Sequence, residues 1–311
     1  MTSGDPRPHA RHLWGLLYRM TGVAADADEL LQETYLRALE SPPRGEVRPY
    51  LTRVALNLAR DRLRRRRREG YVGPWLPSPL PTEQEVPPGV EAQLAQGVST
   101  EARYELLESV SWAFLLALEA LLPVQRAVLL LRDVFDQDVP EVARALGLSE
   151  GNVRVIHHRA RARMAAYDSS RRPPGPSVQQ AARTALEGFL TALATVDAEA
   201  ARALLAEDVV VMQDGGGVVN AARVPLVGPD RALLFHQRIT QLHGMPQSLH
   251  WRTVNGLPAV VARWAEPQGP VPYPTRAIVV AEVDAQGRIR RLWSQLAPRK
   301  LAGSADVFAR C

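Results

Sequence analysis

The chain has 311 residues, more than one packed core ordinarily organises, so two or three domains are expected. Its 38 basic and 33 acidic residues leave a net charge of only +5, so a strong positive field can arise only where arginines cluster; Lys300 is the sole lysine, in an Arg-, Ala-, Leu- and Pro-rich usage typical of a GC-rich genome. A 46 % hydrophobic share with 23 % charged residues excludes a disordered chain, and the lone Cys311 excludes an intramolecular disulfide or multi-cysteine zinc site; with no secretory leader and no apolar run of the ~20 residues that span a bilayer, a cytoplasmic protein without membrane attachment is expected.

After a short N-terminal stretch (1–10), residues 11–69 carry helical periodicity. Leu13, Leu16, Leu17 and Met20 form one stripe, Leu30, Leu31, Tyr35, Leu36 and Leu39 a second, and Leu51, Val54, Leu58 and Leu63 a third, which predicts three or four helices. A Pro/Gly-rich opening at Gly70 marks a flexible linker, 70–99. A second helical module follows at 100–168, with Leu106, Val110, Leu115, Leu118 and Leu122 ahead of Pro123 and a further set from Val128. Another linker (169–177) leads to a third segment, 178–301, and a tail, 302–311.

The third segment begins with two helices, the second capped by Asp197 and ending near Leu205, and then changes period. Strand-like runs lie at Val209 to Gln213, Leu249 to Val254, Ala259 to Trp264, Ala277 to Val283 and Ile289 to Leu296, with a helix at Asp230 to Leu242. Asp214-Gly215-Gly216-Gly217, Asn255-Gly256 and Asp284 to Gly287 supply the turn chemistry of antiparallel hairpins. Helices first and a strand meander after them predict an α+β layer in which a curved sheet wraps a helix.

Two segments carry the chemistry. In the second module (about 139–165) Ala143, Gly147, Val153 and Ile156 have the spacing of a helix-turn-helix: a small residue where helices meet, a glycine for the tight turn, and two apolar residues packing the second helix, with Leu146 and Leu148 closing the core. Ser149 stands as N-cap, which leaves Glu150, Gly151, Asn152, Arg154, Val155 and His158 on the exposed face, continued by Arg159, Arg161 and Arg163 toward phosphates. His157 and His158 point in different directions, so no metal is expected there. The other segment runs from Tyr50 into Arg64 to Arg68, and places Arg53, Asn57, Arg60 and Arg64 on neighbouring turns of one helix. A polyanion suits it, Asn57 can hydrogen-bond a base edge, and Tyr50 either stacks on an unpaired base or fills the core.

An arginine-rich helix followed by a helix-turn-helix across a connector resembles a bacterial sigma factor of the extracytoplasmic-function type. Asp26 to Leu39 is similar to that family's region 2.2, the helix that docks on the β′ coiled coil of core RNA polymerase, with Gln32, Glu33 and Arg37 on its polar face. Leu56-Asn57 through Asp61 and Arg64 match the helix that opens and reads the minus-10 element, and Arg53 and Arg60 share its face. The helix-turn-helix matches region 4, which reads the minus-35 element of promoter DNA and touches the polymerase β-flap.

Trp75-Leu76-Pro77-Ser78-Pro79 is close to the Trp-Leu-Pro-Glu-Pro motif of the subgroup with a fused SnoaL-like domain, Ser78 replacing its glutamate. Asp214-Gly215-Gly216-Gly217 matches that subgroup's glycine motif up to Val218, which replaces a lysine, and Pro298, Lys300 and Leu301 retain part of its C-terminal signature. The resemblance implies two all-α sigma modules, a region 2 bundle and a region 4 helix-turn-helix, followed by an α+β SnoaL-like, nuclear-transport-factor-like cone. It implies transcription initiation by binding, with no cofactor, metal or catalytic residue, modulated by the third domain through the connector and the Asp214 loop. Enclosed pockets of such folds sometimes catalyse; Asp214, His236 and His250 are the candidate groups, with Trp251, Trp264 and Trp293 as walls. Two other classes stay open: a DNA-binding regulator that docks no polymerase, and a SnoaL-like enzyme or ligand-binding domain fused to a DNA-binding module.

Overall fold

The computed structural model describes residues 9–42, 45–82, 107–265 and 274–302. They fall into two compact units, one drawn from Met1–Gly70 and Val86–Arg172, the other from Tyr71–Glu85 and Pro173–Cys311.

In the first unit, α1 (Ala10–Thr21), α2 (Ala24–Glu40) and α3 (Val47–Glu69) pack mutually around Leu13, Leu17, Ala27, Leu30, Leu51 and Leu58. Gly22, at φ 69°, ends α1 in the left-handed region and returns its N–H to Tyr18, so the chain reverses at once into α2. Arg62 on α3 pairs with Asp26 (2.5 Å) and Glu29 (2.9 Å) of α2, fixing the register between the two helices.

The second helical module continues the same unit with α4 (Trp112–Ala117), a short 3₁₀ turn (Leu118–Ala120), α5 (Pro123–Leu129), a wide π turn (Leu130–Val134), α6 (Val139–Leu146) and α7 (Glu150–Ser170). Its caps are local chemistry: Asp138 accepts from the Glu141 N–H at 2.7 Å while Glu141 accepts from the Asp138 N–H, and Ser149 accepts from the Asn152 N–H. Gly147 at φ 65° makes the turn between α6 and α7. Val153 is fully buried there, whereas Leu148 is only half-buried, because it sits in the turn rather than on either helix.

The second unit contains α8 (Pro176–Ala194), α9 (Ala198–Ala203), β1 (Leu205–Asp214), β2 (Leu226–Val227), α10 (Pro229–His243), β3 (Ser248–Val254), β4 (Leu257–Arg263), β5 (Arg276–Val283), β6 (Ile289–Gln295) and α11 (Pro298–Ala302). The sheet order is β2-β1-β6-β5-β4-β3. β3 to β6 form the expected antiparallel meander, and Asn255 and Gly256, both at positive φ, make the two-residue turn of its first hairpin. β1, however, pairs parallel with β6, because the chain leaves β1 through the glycine loop, β2 and α10 before it returns. The two-residue β2 is too short to show a period in sequence. α8 and α10 lie on one face of the sheet, over a core that includes Leu186, Phe189, Val211, Val260 and Leu292.

Candidate nucleic-acid interface and connector clamp

In the first module, Gln32 and Arg37 are exposed on α2, and Glu33 pairs with Arg37 at 2.7 Å. Leu36 and Leu39, 59 % and 71 % exposed, lie beside them, an apolar pair on the surface of a helix whose Leu30 is core and whose Leu31 is half-buried. On α3, Asn57, Asp61 and Arg64 are exposed; Arg60 reaches Asn57 Oδ1 at 3.4 Å and Arg64 pairs with Asp61 at 3.0 Å. Tyr50, which sequence left between stacking and packing, is half-buried and donates its hydroxyl to the Ser41 carbonyl at 2.7 Å.

Several arginines have internal partners. Arg53 donates to the carbonyl of Arg144 near the end of α6, Arg66 binds Glu119 at 2.5 Å, and Arg67 binds the Leu121 carbonyl. The run Arg64 to Arg68 is therefore only partly a free cationic face. Glu119 also takes Arg126 at 2.7 Å, and Arg126, 1 % exposed, donates to the Met20 carbonyl at 2.7 Å. Burial opposes ionisation of Glu119, but Arg126 and then Arg66 outweigh it and hold the carboxyl below its ordinary value. Arg19, fully buried on α1, reaches Ser109 Oγ at 2.9 Å. These contacts join the two helical modules.

On α7, Glu150, Gly151, Asn152, Arg154, Val155, His158 and Arg159 are all exposed, with Glu150 bonded to Arg154 at 3.0 Å. His157 instead faces Asp133 in the π turn at 2.6 Å, Arg161 lies near the same carboxylate at 3.5 Å, and Arg163 donates to Gln125 Oε1 at 2.6 Å. Arg161 and Arg163, exposed on α7, thus also reach back to the π turn and α5.

The connector expected as flexible is, over residues 71–82, part of the second unit, where it is gripped by the Asp214 loop and α11. Asp214 is fully buried. Its Oδ1 accepts from the Tyr71 hydroxyl (2.6 Å) and the Gly216 N–H (2.9 Å); its Oδ2 accepts from the Leu76 N–H (2.7 Å) and Lys300 Nζ (2.6 Å). Lys300, 5 % exposed, also donates to the Leu76 carbonyl at 2.6 Å, and its ammonium lies 4.6 Å and 4.5 Å from the ring centres of Tyr71 and Trp75. A carboxylate, an ammonium and two π faces thus compensate one another out of water.

Gln295, the register partner of Asp214, donates to the Leu76 and Pro77 carbonyls at 3.1 and 3.0 Å. Further along, Asn255 exchanges two bonds with Leu80, and Thr82 binds the Thr253 carbonyl, so the connector finishes in an isolated antiparallel bridge, Pro81 to Val254, beside β3. Pro77, Pro79 and Leu301 are buried in the same assembly. Gly216 at φ 63° admits no side chain, since a Cβ would stand 2.9 Å from that of Ala297; Gly215 and Gly217 complete the turn against Val219 and Val72. Sequence reading singled out Trp75, Leu76, Pro77, Pro79, Asp214, Gly215, Gly216, Gly217, Lys300 and Leu301; it missed Tyr71, Gln295 and Asn255.

The sheet and helices also enclose a cavity of about 340 Å³. His236 and Trp264 line it, whereas Asp214, His250, Trp251 and Trp293 do not. Asp214 is therefore removed from the candidate catalytic groups: it lies off the cavity, and its carboxylate oxygens are taken by Tyr71 and Leu76 of the connector, the Gly216 N–H and Lys300. Among the described residues, no cluster of three His, Cys, Asp or Glu could hold a metal, and no helix is long and apolar enough to cross a membrane.

A helix-turn-helix module joined to a module bearing an arginine-lined helix, with the connector between them seated on an α+β domain, defines the architecture of a sigma factor. The sigma-70 region 2 family model matches residues 7–69 and the sigma-70 region 4 model residues 111–164. Among individual relatives, the ECF RNA polymerase sigma factor SigJ of Mycobacterium tuberculosis is 30 % identical over 302 residues, covering 94 % of this chain and 91 % of that protein. The sigma factor SigG of the same organism is 36 % identical over 197 residues, covering 57 % of this chain and 52 % of that one. The crystal structure of SigJ matches with a TM-score of 0.70 at 26 % identity, covering 96 % of this chain and 99 % of the other, so the α+β domain is shared as well. The chain belongs to the extracytoplasmic-function sigma factors, which direct RNA polymerase to promoters.

Proposed function

We propose that α2 docks on the β′ coiled coil of core polymerase through Gln32, Glu33 and Arg37, that α3 reads the minus-10 strand through Arg53, Asn57, Arg60, Asp61 and Arg64, and that α7 reads the minus-35 duplex through Glu150, Gly151, Asn152, Arg154, Val155, His158 and Arg159, beside a contact to the β-flap. The protein works in the cytoplasm, by binding and without turnover. The observation that carries the polymerase contact is the exposure of Leu36 and Leu39 next to that polar trio, since an exposed apolar pair suits docking on a protein surface rather than on DNA. Replacing both leucines by serine is expected to abolish co-purification with core polymerase while leaving the melting temperature intact. Unchanged co-purification and promoter-directed transcription would refute it.

In the same reading the third domain regulates by holding the connector. Residues 71–82 directly follow α3, so a domain that grips them controls how much slack joins the minus-10 reader to the minus-35 reader. The clamp centred on Asp214 and Lys300 supports this, and release of the connector by its disruption is the test developed below.

A further inference from the structure

The cavity in the second unit lies on the helix-covered face of the sheet, and the strand pair that holds the connector forms part of its wall, beside β4 and β5. Gln213 and Ser294 are register partners on β1 and β6 and both face the cavity. The next rung, Asp214 and Gln295, points to the opposite face and grips Leu76. Strand alternation thus places a polar pair under the cavity and the clamp one residue further on.

The lining has a definite chemical character. It is mostly aliphatic and aromatic, with Phe189, Phe235 and Trp264 as its rings, and among the described residues no Asp, Glu, Lys or Arg contributes to it. Gln213 uses its carbonyl oxygen on the Ala222 N–H (3.4 Å), and neither its amide nitrogen nor the Ser294 hydroxyl has a partner among the described residues. Across from them, His236 Nδ1 bonds the Ala232 carbonyl at 2.7 Å, which leaves Nε2 as an acceptor. Burial holds His236 below its ordinary value, so its ring is neutral. A volume of about 340 Å³ suits a small ligand.

We infer that this cavity binds an uncharged, largely apolar small molecule that donates a hydrogen bond to His236 and accepts one from Gln213 or Ser294, and that its occupancy is linked to the grip on the connector. Charge is disfavoured because an ionised group would lose water and meet no Asp, Glu, Lys or Arg among the described lining residues, and burial holds His243, the other titratable group there, below its ordinary value. Linkage follows from the shared wall: filling the cavity removes freedom from β1 and β6, and with it the excursions that open the clamp. The linkage rests on the connector-holding role proposed above; the ligand class does not.

The probe is N-phenyl-1-naphthylamine, neutral with one N–H donor, compared with 1-anilinonaphthalene-8-sulfonate, the same body carrying an anion, both titrated by fluorescence into the full chain. The neutral probe is expected to saturate one site, with the sulfonate at least tenfold weaker. Ala262→Phe, which fills the cavity, should weaken the neutral probe at least tenfold, and His236→Leu, which keeps volume but removes the acceptor, about three- to tenfold. Equal binding of the two probes to the unmodified chain, or unchanged binding in both variants, overturns the ligand assignment. With the neutral probe saturating, amide exchange at Leu76 and Leu80 should slow at least threefold; unchanged exchange overturns the linkage. If Leu76 exchanges freely without any probe, it is instead the connector-holding role that fails, and the binding result stands.

Discussion

Lys300→Met separates a connector that merely rests on the third domain from one that is clamped. Methionine keeps most of the side-chain volume and removes the ammonium that Asp214, the Leu76 carbonyl, Tyr71 and Trp75 share. Removing one partner of a buried ion pair costs about 3–5 kcal/mol, because the other charge stays buried and uncompensated. Asp214 is fully buried, so solvent screening does not reduce that figure. Gln295 still serves the Leu76 carbonyl at 3.1 Å, which limits the further loss. At about 1.4 kcal/mol per factor of ten, the clamp should open roughly two to three and a half orders of magnitude more often. Hydrogen exchange followed by mass spectrometry on peptides spanning 74–80 reads this directly, with the buried helices of the first unit as internal control. Exchange within threefold of the unmodified protein would refute the argument. Adding Asp214→Asn should restore more than half of the lost protection, since a neutral amide still accepts from the Leu76 N–H and no lone charge remains.

Three further outcomes follow from the geometry. Glu119→Gln leaves Arg126 and Arg66 facing each other without their carboxylate, so the two helical modules should part, seen as a larger radius of gyration in solution scattering; an unchanged radius would contradict it. Because the folded carboxyl is held below its ordinary value, its contribution is complete above about pH 4.3 and lost as pH falls through the lower folded value, so this packing should be insensitive between pH 5 and 8. His236 titrates the other way in charge: being neutral when buried, it contributes fully above about pH 6.5 and loses that contribution as pH falls, so the pH 7.5-to-5.5 drop in melting temperature should shrink in His236→Leu and would refute the assignment by staying the same. Arg159→Ala, at an exposed arginine of α7, should weaken promoter binding evenly across sequences and reduce the salt slope by about 0.9, whereas loss of preference at one base pair would show a base contact instead.

Much of the fold was legible because it is written locally. Ser149 and Asp138 as caps, Gly147 as the turn, Asn255-Gly256 as a hairpin and the three leucine stripes of the first module all act within a few residues of themselves. The clamp was legible in its parts but not in its pairing. Asp214 before three glycines reads as a turn former, which it is, with Gly216 at φ 63°; that its carboxylate also meets Tyr71, 143 residues earlier, no local pattern can show. The arginine run misled for the same reason: Arg66 and Arg67 look free until Glu119 and Leu121, more than fifty residues away, are placed beside them. One unused signal was available. In a chain whose other 37 basic residues are arginine, the single lysine marks a place that wants a compact, three-donor ammonium between two aromatic faces and a carboxylate, where a planar guanidinium does not fit.

The packed state of the helical unit also bounds how such a protein reaches its promoter. Minus-10 and minus-35 elements lie about 25 base pairs apart by their numbering, roughly 85 Å of duplex at 3.4 Å per base pair. In the structure α3, the proposed minus-10 reader, bonds through Arg53 to the end of α6, the helix that precedes the proposed minus-35 reader α7, so reading both elements as proposed requires the modules to separate. The chain that must then span them is residues 71–106, which could reach at most about 125 Å at roughly 3.5 Å per residue whatever its conformation. With 71–82 held on the third domain, the free chain is residues 83–106, whose own limit is about 85 Å, and the held segment adds only its fixed end-to-end distance. A closed clamp therefore shortens the reach and asks more stretching of the free chain, which is entropically unfavourable. An open clamp spreads the same separation over residues 71–106, so each residue is stretched less. If the third domain regulates as proposed, the buried pair Asp214–Lys300 sets which of the two reaches is available.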